Sequence, residues 1–198
     1  MHLFLQGQFG IGKSSLLRKM LEPASSSIAG FVTQRLMKNG KKIGHRALNI
    51  TGSLPPLEAV YTPGQKGIFI LKGQTDIPAL EKAILQVEQD TINPGCKFIL
   101  LDEIGGVELK SEAFMGSLLR IVSGDKPCIG VLKSAPNLAY AMSQLNLDNE
   151  YLRLHSRLEQ IIRLKGELIS VTYENIDEMR EYLNQHVRQI LKLGRCGY

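Results

Sequence analysis

The chain has 198 residues, 43% of them hydrophobic, which suits one three-layer α/β domain over residues 1–198 and is short for two. Its net charge of +5 would favour polyanions, but basic and acidic residues are interspersed, so a nucleic-acid partner is possible without being supported by any motif. No segment approaches the roughly 20 apolar residues of a membrane span, so we expect no membrane association.

The cysteines predict a reduced, cytoplasmic protein. Cys96, Cys128 and Cys196 are odd in number, far apart and without a C-x-x-C pair, which argues against a disulfide scaffold. No histidine lies near them at the spacing of metal ligands, which argues against a zinc site.

The first predicted elements are a strand around residues 3–5, a glycine-rich loop and a helix over 15–21. The loop matches the nucleotide-phosphate pattern G-x-x-x-x-G-K-[ST] at every fixed position. Its residues are Gly7, Gln8, Phe9, Gly10, Ile11, Gly12, Lys13, Ser14 and Ser15. Strand, motif and helix occur in the order that phosphate binding requires, which favours this interpretation over a chance glycine turn.

This loop predicts a nucleoside triphosphate as the ligand. Glycines allow successive backbone N–H groups to turn inward around an anion, and the positive end of the helix adds to the attraction. Lys13 would reach the β- and γ-phosphates, and the Ser14 hydroxyl would ligate the Mg²⁺ ion that accompanies a triphosphate. Mg²⁺ is therefore the expected cofactor.

Residues 28–50 predict an antiparallel hairpin after the first helix, with a loop at 23–27 before it. Strands over 28–36 and 42–50 flank Asn39 and Gly40, a dipeptide typical of hairpin turns. An irregular, proline-containing segment over 55–64 follows. A short strand over 67–71 comes next, and then a helix from Pro78 to the Asn-Pro-Gly stretch at 93–95.

An apolar run over 97–101 ends in Asp102 and Glu103. Such a run suits a parallel strand buried on both faces, and ligands of doubly wound sheets lie beyond the carboxyl ends of the strands. We expect Asp102 to hold Mg²⁺, and Glu103 to orient the attacking water or accept its proton. The alternative, an ordinary acidic turn, is disfavoured by the phosphate loop in the same chain.

Two further candidates lie later in the chain. Lys133, with Ser134, follows a predicted strand over 127–132 and is a candidate to sense the γ-phosphate, although the residues favour a solvated loop. A predicted helix over 150–165 is either a lid that brings Arg163 to the γ-phosphate or an amphipathic helix with a solvated basic face.

The remaining elements complete a mostly parallel sheet covered by helices. Ser111 is expected to cap a helix that extends to about residue 122. A last strand over 168–172 and a closing helix capped by Asn175 or Asp177 follow, with a frayed end at 194–198.

Four stretches of the sequence resemble a small family of P-loop nucleoside-triphosphatases that includes the cancer-related nucleoside-triphosphatase and its thermophile counterparts. They lie at residues 7–15, 30–33 with the turn at 40–44, 102–109 with Ser111 and Phe114, and 171–175. The D-E-I-G-x-x-E-L stretch that begins at Asp102 is the most specific of them. The resemblance implies a RecA-like α/β fold and slow, Mg²⁺-dependent hydrolysis of ATP, GTP and related triphosphates with loose base selectivity.

The chain departs from the family pattern at three places. Members resemble G-F-Y-T-E-E-V-R where this chain has residues 30–37, so that an acid and the final arginine are replaced. Gly106 stands where members tend to have lysine, and Ile176 where they tend to have arginine, while Arg163 resembles an arginine found before the last strand. The phosphate loop and the Asp102-Glu103 pair are intact, so the chain resembles a diverged member.

Three functions fit these residues. The first is hydrolysis of nucleoside triphosphates to the diphosphate and phosphate, with Lys13 and Glu103 as catalytic residues. The second is a small-molecule or nucleotide kinase, although the sequence has no recognisable acceptor motif. The third is a nucleotide-binding switch with negligible turnover, which the missing arginines support. The sequence does not identify a protein partner.

Overall fold

The structure, a computed structural model, describes residues 2–50 and 52–193, so that the predicted frayed end and Cys196 lie outside the described residues. Within these ranges the chain forms nine strands and six α-helices. The strands are β1 (His2–Gly7), β2 (Ile28–Lys38), β3 (Lys41–Asn49), β4 (Glu58–Val60), β5 (Ile68–Leu71), β6 (Gln74–Thr75), β7 (Phe98–Ile104), β8 (Cys128–Leu132) and β9 (Gly166–Val171). The helices are α1 (Lys13–Leu21), α2 (Ile77–Asp90), α3 (Glu112–Ser123), α4 (Ala135–Leu145), α5 (Glu150–Lys165) and α6 (Ile176–Leu193).

The nine strands form one sheet in the order β6-β5-β3-β2-β7-β8-β1-β9, and β4 pairs with the outer part of β2. Neighbouring strands from β2 to β9 run parallel, whereas β3, β5 and β6 are added antiparallel. This arrangement confirms the predicted mostly parallel sheet with an antiparallel hairpin after the first helix.

Helices cover both faces of the sheet, as a parallel sheet requires. Residues of β7 alternate between the two faces: Phe98 and Leu100 pack with α1 and α6, while Ile99 and Leu101 pack with α2, α3 and α5. Because both faces of β7 are buried, residues 98–101 form a continuous apolar run. The alternation also points the next residue, Asp102, towards the face that α1 covers.

The β2–β3 hairpin extends past the carboxyl end of the neighbouring strand. β2 pairs with β7 only from Ile28 to Phe31, after which β7 ends at Ile104 while β2 continues to Lys38. β3 stays paired with β2 over this outer part. The outer half of the hairpin therefore forms a wall beside the carboxyl edge of the sheet.

Several elements differ from the sequence expectations. Residues 23–27, expected as a loop, belong to a 3-10 helix over Glu22–Ser27, and the irregular segment contains β4. Helix α4 was not predicted, because only Leu138 and Met142 of its residues are buried and its apolar period is weak, although Ser134 and Pro136 are typical of a helix start. Asn175 precedes α6, but its side-chain oxygen accepts from the Thr172 N–H and does not cap the helix.

Other expectations are met. Ser111 caps α3, since its hydroxyl accepts a hydrogen bond of 3.0 Å from the Phe114 N–H. Across residues 2–50 and 52–193, no helix combines the length and the apolar character needed to cross a bilayer.

Two glycines with positive φ provide a test of the strand packing. Gly30 (φ 147°) lies where a Cβ would collide with the Leu100 carbonyl oxygen of β7, whereas Gly40 (φ 72°) has open space at the hairpin turn. We expect Gly30→Ala to lower the free energy of unfolding by about 3 kcal/mol or more, and Gly40→Ala by about 1 kcal/mol. Urea unfolding of the two variants measures the difference, and equal losses would contradict the close approach of β2 and β7.

Candidate functional site

The phosphate loop joins β1 to α1 at the carboxyl edge of the sheet. Gly12 has a φ of 96°, a left-handed conformation that glycine adopts without strain, and α1 begins at the next residue. Ile11 anchors the loop in the core. The residues left accessible in the loop and the first turn of α1 are Gln8, Phe9, Gly10 and Ser15.

Lys13 is buried, and its ammonium group lies against the loop itself. Its Nζ donates to the carbonyl oxygens of Gly7 at 2.9 Å and Gln8 at 2.7 Å. Because an ammonium has three N–H donors, one remains to reach a phosphate. Burial lowers the pKa of Lys13, and the negative charge of Glu103 opposes that shift.

Ser14 joins the phosphate loop to the carboxylate strand. Its hydroxyl donates a hydrogen bond of 2.7 Å to Oδ1 of Asp102, which is only 2% exposed. Burial and the nearby charge of Glu103 raise the pKa of Asp102 to about 6, although Ser14 and Arg18 act in the opposite direction. The structure therefore brings the predicted Ser14 and Asp102 together.

Two neighbours of Asp102 were missed in the sequence. Nη2 of Arg18 lies 3.9 Å from Oδ2 of Asp102, and the Thr33 hydroxyl donates to the Asp102 backbone carbonyl at 3.2 Å. Arg18 lies four residues after Ser14, and residues at that spacing share one face of a helix. This spacing was a signal available in the sequence, whereas the position of Thr33 depends on the register of β2 with β7.

The donor set around Asp102 fits Mg²⁺. Oδ2 of Asp102 is buried and has no hydrogen-bond partner among the described residues. Carboxylate and hydroxyl oxygens are the ligands that Mg²⁺ prefers, and it usually takes one or two protein ligands together with phosphate oxygens and water. In the part of the chain that the structure describes, no group of three or more His, Cys, Asp or Glu side chains gathers into a complete metal cage.

Glu103 lies at an irregularity in the strand. Its φ is 58°, an uncommon left-handed conformation for a residue other than glycine, and the register of β7 with β8 shifts between Leu101 and Ile104. Such bulges redirect side chains and are common beside active sites. The negative charge of Glu103 consequently affects the pKa values of Lys13, Arg18 and Asp102.

A buried carboxylate holds the turn that follows these residues. Oε1 of Glu108 accepts hydrogen bonds from the backbone N–H groups of Gly105 and Gly106, the second at 2.8 Å. Glu108 therefore has a structural role, because it fixes the backbone of the turn at Gly105 and Gly106. The fixed turn positions the residues just before it, at the end of β7.

The start of α4 contacts the phosphate loop directly. The Asn137 amide and the Ser134 hydroxyl both donate to the Gly7 carbonyl oxygen, at 2.9 and 3.3 Å. The solvated-loop alternative is therefore wrong for Ser134, which precedes a helix and contacts the loop. Asn137 was missed because α4 itself was missed.

Lys133 lies beside the same edge. Nε2 of the buried His155 donates to the Lys133 carbonyl oxygen, and the Lys133 charge is near enough to lower the pKa of Lys13. The Lys133 charge therefore lies near Lys13, and a role of Lys133 towards the γ-phosphate stays a prediction.

Arg163 lies elsewhere. It occupies the last turn of α5, just before β9 begins at Gly166, and Gly166 is paired with His2 at the amino end of β1. The phosphate loop follows the carboxyl end of β1, so Arg163 is at the opposite edge of the sheet. Its guanidinium pairs with Glu159 at 2.8 Å. This placement corrects the hypothesis that Arg163 closes over the γ-phosphate, and α5 is better described as an amphipathic helix.

A glycine-rich phosphate loop between β1 and α1, with a carboxylate strand two positions away in a parallel sheet, defines a P-loop nucleotide-binding α/β protein. The sequence matches the NTPase family over residues 2–187, and the chain belongs to that family.

Relatives of the chain carry consistent names. The cancer-related nucleoside-triphosphatase of Homo sapiens is 30% identical over 131 residues, which cover 62% of this chain and 69% of the human protein. Nucleoside-triphosphatase THEP1 of Methanocaldococcus jannaschii is 23% identical over 195 residues, covering 93% and 96% of the two chains. The family description and these names indicate a nucleoside-triphosphatase, and they confirm the predicted family.

A solved structure shows the same fold. The crystal structure of THEP1 from the hyperthermophile Aquifex aeolicus matches with a TM-score of 0.50 at 21% identity, covering 92% of this chain and 96% of that one. The likeness supports the predicted P-loop NTPase fold.

The buried carboxylate gives a prediction about pH. The pKa of Asp102 in the fold, about 6, lies above its usual value of 3.8, so its ionisation opposes folding. The resulting loss in the free energy of unfolding is absent below about pH 4, grows as the pH rises to about 6 and is constant above that. In EDTA, Asp102→Asn should exceed the parent in free energy of unfolding by about 1–3 kcal/mol at pH 7.5, with the advantage lost at pH 4. Urea unfolding at both pH values measures this difference. An increase in the stability of the parent relative to the variant as the pH rises would contradict the prediction.

Proposed function

We propose that the chain hydrolyses the β–γ bond of nucleoside triphosphates, ATP and GTP among them, to the diphosphate and phosphate, slowly and with Mg²⁺. The observation that carries this proposal is the Ser14–Asp102 hydrogen bond, which joins the glycine-rich loop to the carboxylate strand at the sheet edge. The names of the relatives support the same activity.

The loop supplies the phosphate contacts. The first backbone N–H groups of α1 have no helical acceptor and face the loop, and the helix dipole favours an anion there. The remaining donor of Lys13 extends this set towards the β- and γ-phosphates. These groups neutralise charge without reorganising, which is how phosphoryl transfer is chiefly accelerated.

The residues around Asp102 would hold Mg²⁺. The Ser14 hydroxyl would ligate the ion, and Asp102 would hold it through water. This water would give Oδ2 of Asp102 the hydrogen bond that it lacks among the described residues. When bound with the nucleotide, the ion supplies positive charge that offsets the charge of the phosphates.

Glu103 is the proposed group for the attacking water. Its carboxylate is partly exposed and close enough to affect the pKa values of both Lys13 and Asp102. Water held there faces the phosphate-binding groups, and the carboxylate can orient it or accept its proton.

The position of Arg163 supports slow turnover. An arginine that stabilises the charge of the transition state accelerates related reactions by several orders of magnitude, and Arg163, the sequence candidate for that role, lies at the opposite edge of the sheet. The same observation favours a nucleotide-binding switch with negligible turnover as the second candidate.

We also propose a cytoplasmic location. Cys96 and Cys128 are buried free thiols, and burial raises the pKa of Cys128 to about 12. Thiols that stay unpaired are typical of reducing compartments.

Phosphate release from ATP, GTP, CTP and UTP with Mg²⁺ tests the proposal. We expect Lys13→Ala to lose nucleotide binding, and Glu103→Gln to bind normally while its turnover falls about 100- to 10,000-fold. EDTA should abolish release. The matched controls are Lys19→Ala and Glu22→Gln, which change exposed residues of α1 and of the turn after it.

Each alternative gives a distinct result. Turnover of Glu103→Gln at the parent rate would show that Glu103 is not the proton acceptor. Tight binding without release by the parent would favour the switch. Formation of the diphosphate without free phosphate, only when a metabolite is added, would favour a kinase.

A further inference from the structure

The sheet order gives a bound triphosphate a direction, if the chain acts as proposed above. The Lys13 ammonium, which would contact the β- and γ-phosphates, is bonded to the Gln8 carbonyl in the first half of the loop. Glu103 lies at the end of β7, on the β8 side of β1, and β9 lies on the other side. The γ-phosphate therefore faces β7 and the hairpin beyond it, while the nucleoside faces β9.

Two cations of the hairpin approach the loop at that γ-phosphate end. The ring of Phe9, 63% exposed, follows Gln8 directly. The Arg35 guanidinium carbon lies 5.8 Å from the centre of this ring, and the Lys42 ammonium nitrogen lies 5.4 Å from it. Both distances are within the range of cation–π contacts, so the outer half of the hairpin holds two positive charges against the loop.

His45 of the same hairpin is close enough to Arg35, Lys42, Lys133 and Glu103 for their charges to shift its pKa. His45 is paired with Arg35 across the hairpin, and its Nδ1 is buried without a hydrogen-bond partner among the described residues. Burial lowers the pKa of His45 to about 4, the charge of Glu103 opposes this, and three cations add to it: Lys42, Lys133 and Arg35. The imidazole is neutral at pH 7, so it adds no positive charge to those of Arg35 and Lys42 beside Phe9.

We propose that Arg35 and Lys42 bind the γ-phosphate and make the site select nucleoside triphosphates over diphosphates. Nη1 of Arg35 donates to Glu58 at 2.9 Å, and the other N–H groups of its guanidinium remain to bind phosphate oxygens. A diphosphate ends before it reaches the hairpin, so it loses these contacts and keeps those of the phosphate loop.

Binding of two nucleotides separates this role from a general effect of charge. The probes are Mg²⁺ with β,γ-imido-ATP, which is not hydrolysed, and Mg²⁺ with ADP, both measured by calorimetry. We expect Arg35→Gln with Lys42→Met to weaken binding of β,γ-imido-ATP at least tenfold and binding of ADP less than twofold. The single substitution Lys42→Arg, which keeps the positive charge, should retain most of the affinity for β,γ-imido-ATP that the single substitution Lys42→Met loses.

Lys41→Met is the matched control. Lys41 is the neighbouring exposed lysine on β3, and successive side chains of a strand point to opposite faces. Its loss removes one positive charge from the same hairpin, so it reports the long-range effect of charge on both nucleotides. Thermal unfolding of all variants checks that the hairpin is intact, because Arg35 and Glu58 are surface residues whose pairing adds little stability.

Three results would overturn the inference. If the double variant binds both nucleotides more weakly by the same factor, the two cations contact a phosphate other than the γ-phosphate. If its binding of both nucleotides is unchanged, the two cations do not belong to the site. A loss of the same size in Lys41→Met would reduce the effect to overall charge. If the parent binds neither nucleotide, the proposed function fails and the inference with it, whereas the first three results leave hydrolysis itself untouched.

Discussion

The hydrogen bond between Ser14 and Asp102 crosses the gap between two strands that do not pair. β1 carries the phosphate loop and β7 carries the carboxylates, and β8 lies between them. Contact is made because α1 packs over this region and presents Ser14 and Arg18 on one face, while the alternation of β7 turns Asp102 towards the same face. A carboxylate buried there opposes folding, so the arrangement gives up stability to keep a carboxylate beside the loop.

The backbone around this contact is held by side chains rather than by regular pairing. The Gly7 carbonyl accepts from Lys13 and from Asn137 at the start of α4, and the turn after β7 is tied to Glu108. His155 holds the end of β8 from α5. Elements from distant parts of the chain therefore fix the loop geometry before any phosphate arrives, and such preorganisation is what makes fixed dipoles effective towards a charged ligand.

The sequence predicted the parts of the site that depend on local order. Residues 7–15 follow a short apolar strand, and Asp102 ends a longer one, so strand direction alone places both at the carboxyl edge. The hairpin was predicted because Asn39-Gly40 is a turn with a distinct backbone preference.

The missed parts depend on register and packing. Periodicity does not show how many residues of β2 pair with β7, and this number decides that Arg35 and Lys42 stand beside Phe9. Arg163 was a candidate for a lid because it lies on a basic helix and resembles an arginine found before the last strand of the family, yet the direction of β9 puts it at the far edge. Asn137 belongs to a helix whose buried face has too few residues to show a period.

The position of β1 between β8 and β9 also governs when the loop can form during synthesis. β1 is made first, but Leu3 pairs with Ile129 on one side and Glu167 on the other. At typical elongation rates of roughly 5–20 residues per second, the first strand waits on the order of ten seconds for its partners. Its buried residues Leu3, Phe4 and Leu5 are exposed during that time, so the nascent chain carries an apolar segment directly beside an unformed nucleotide site. The loop can therefore take its folded geometry only after β8 and β9 have been made.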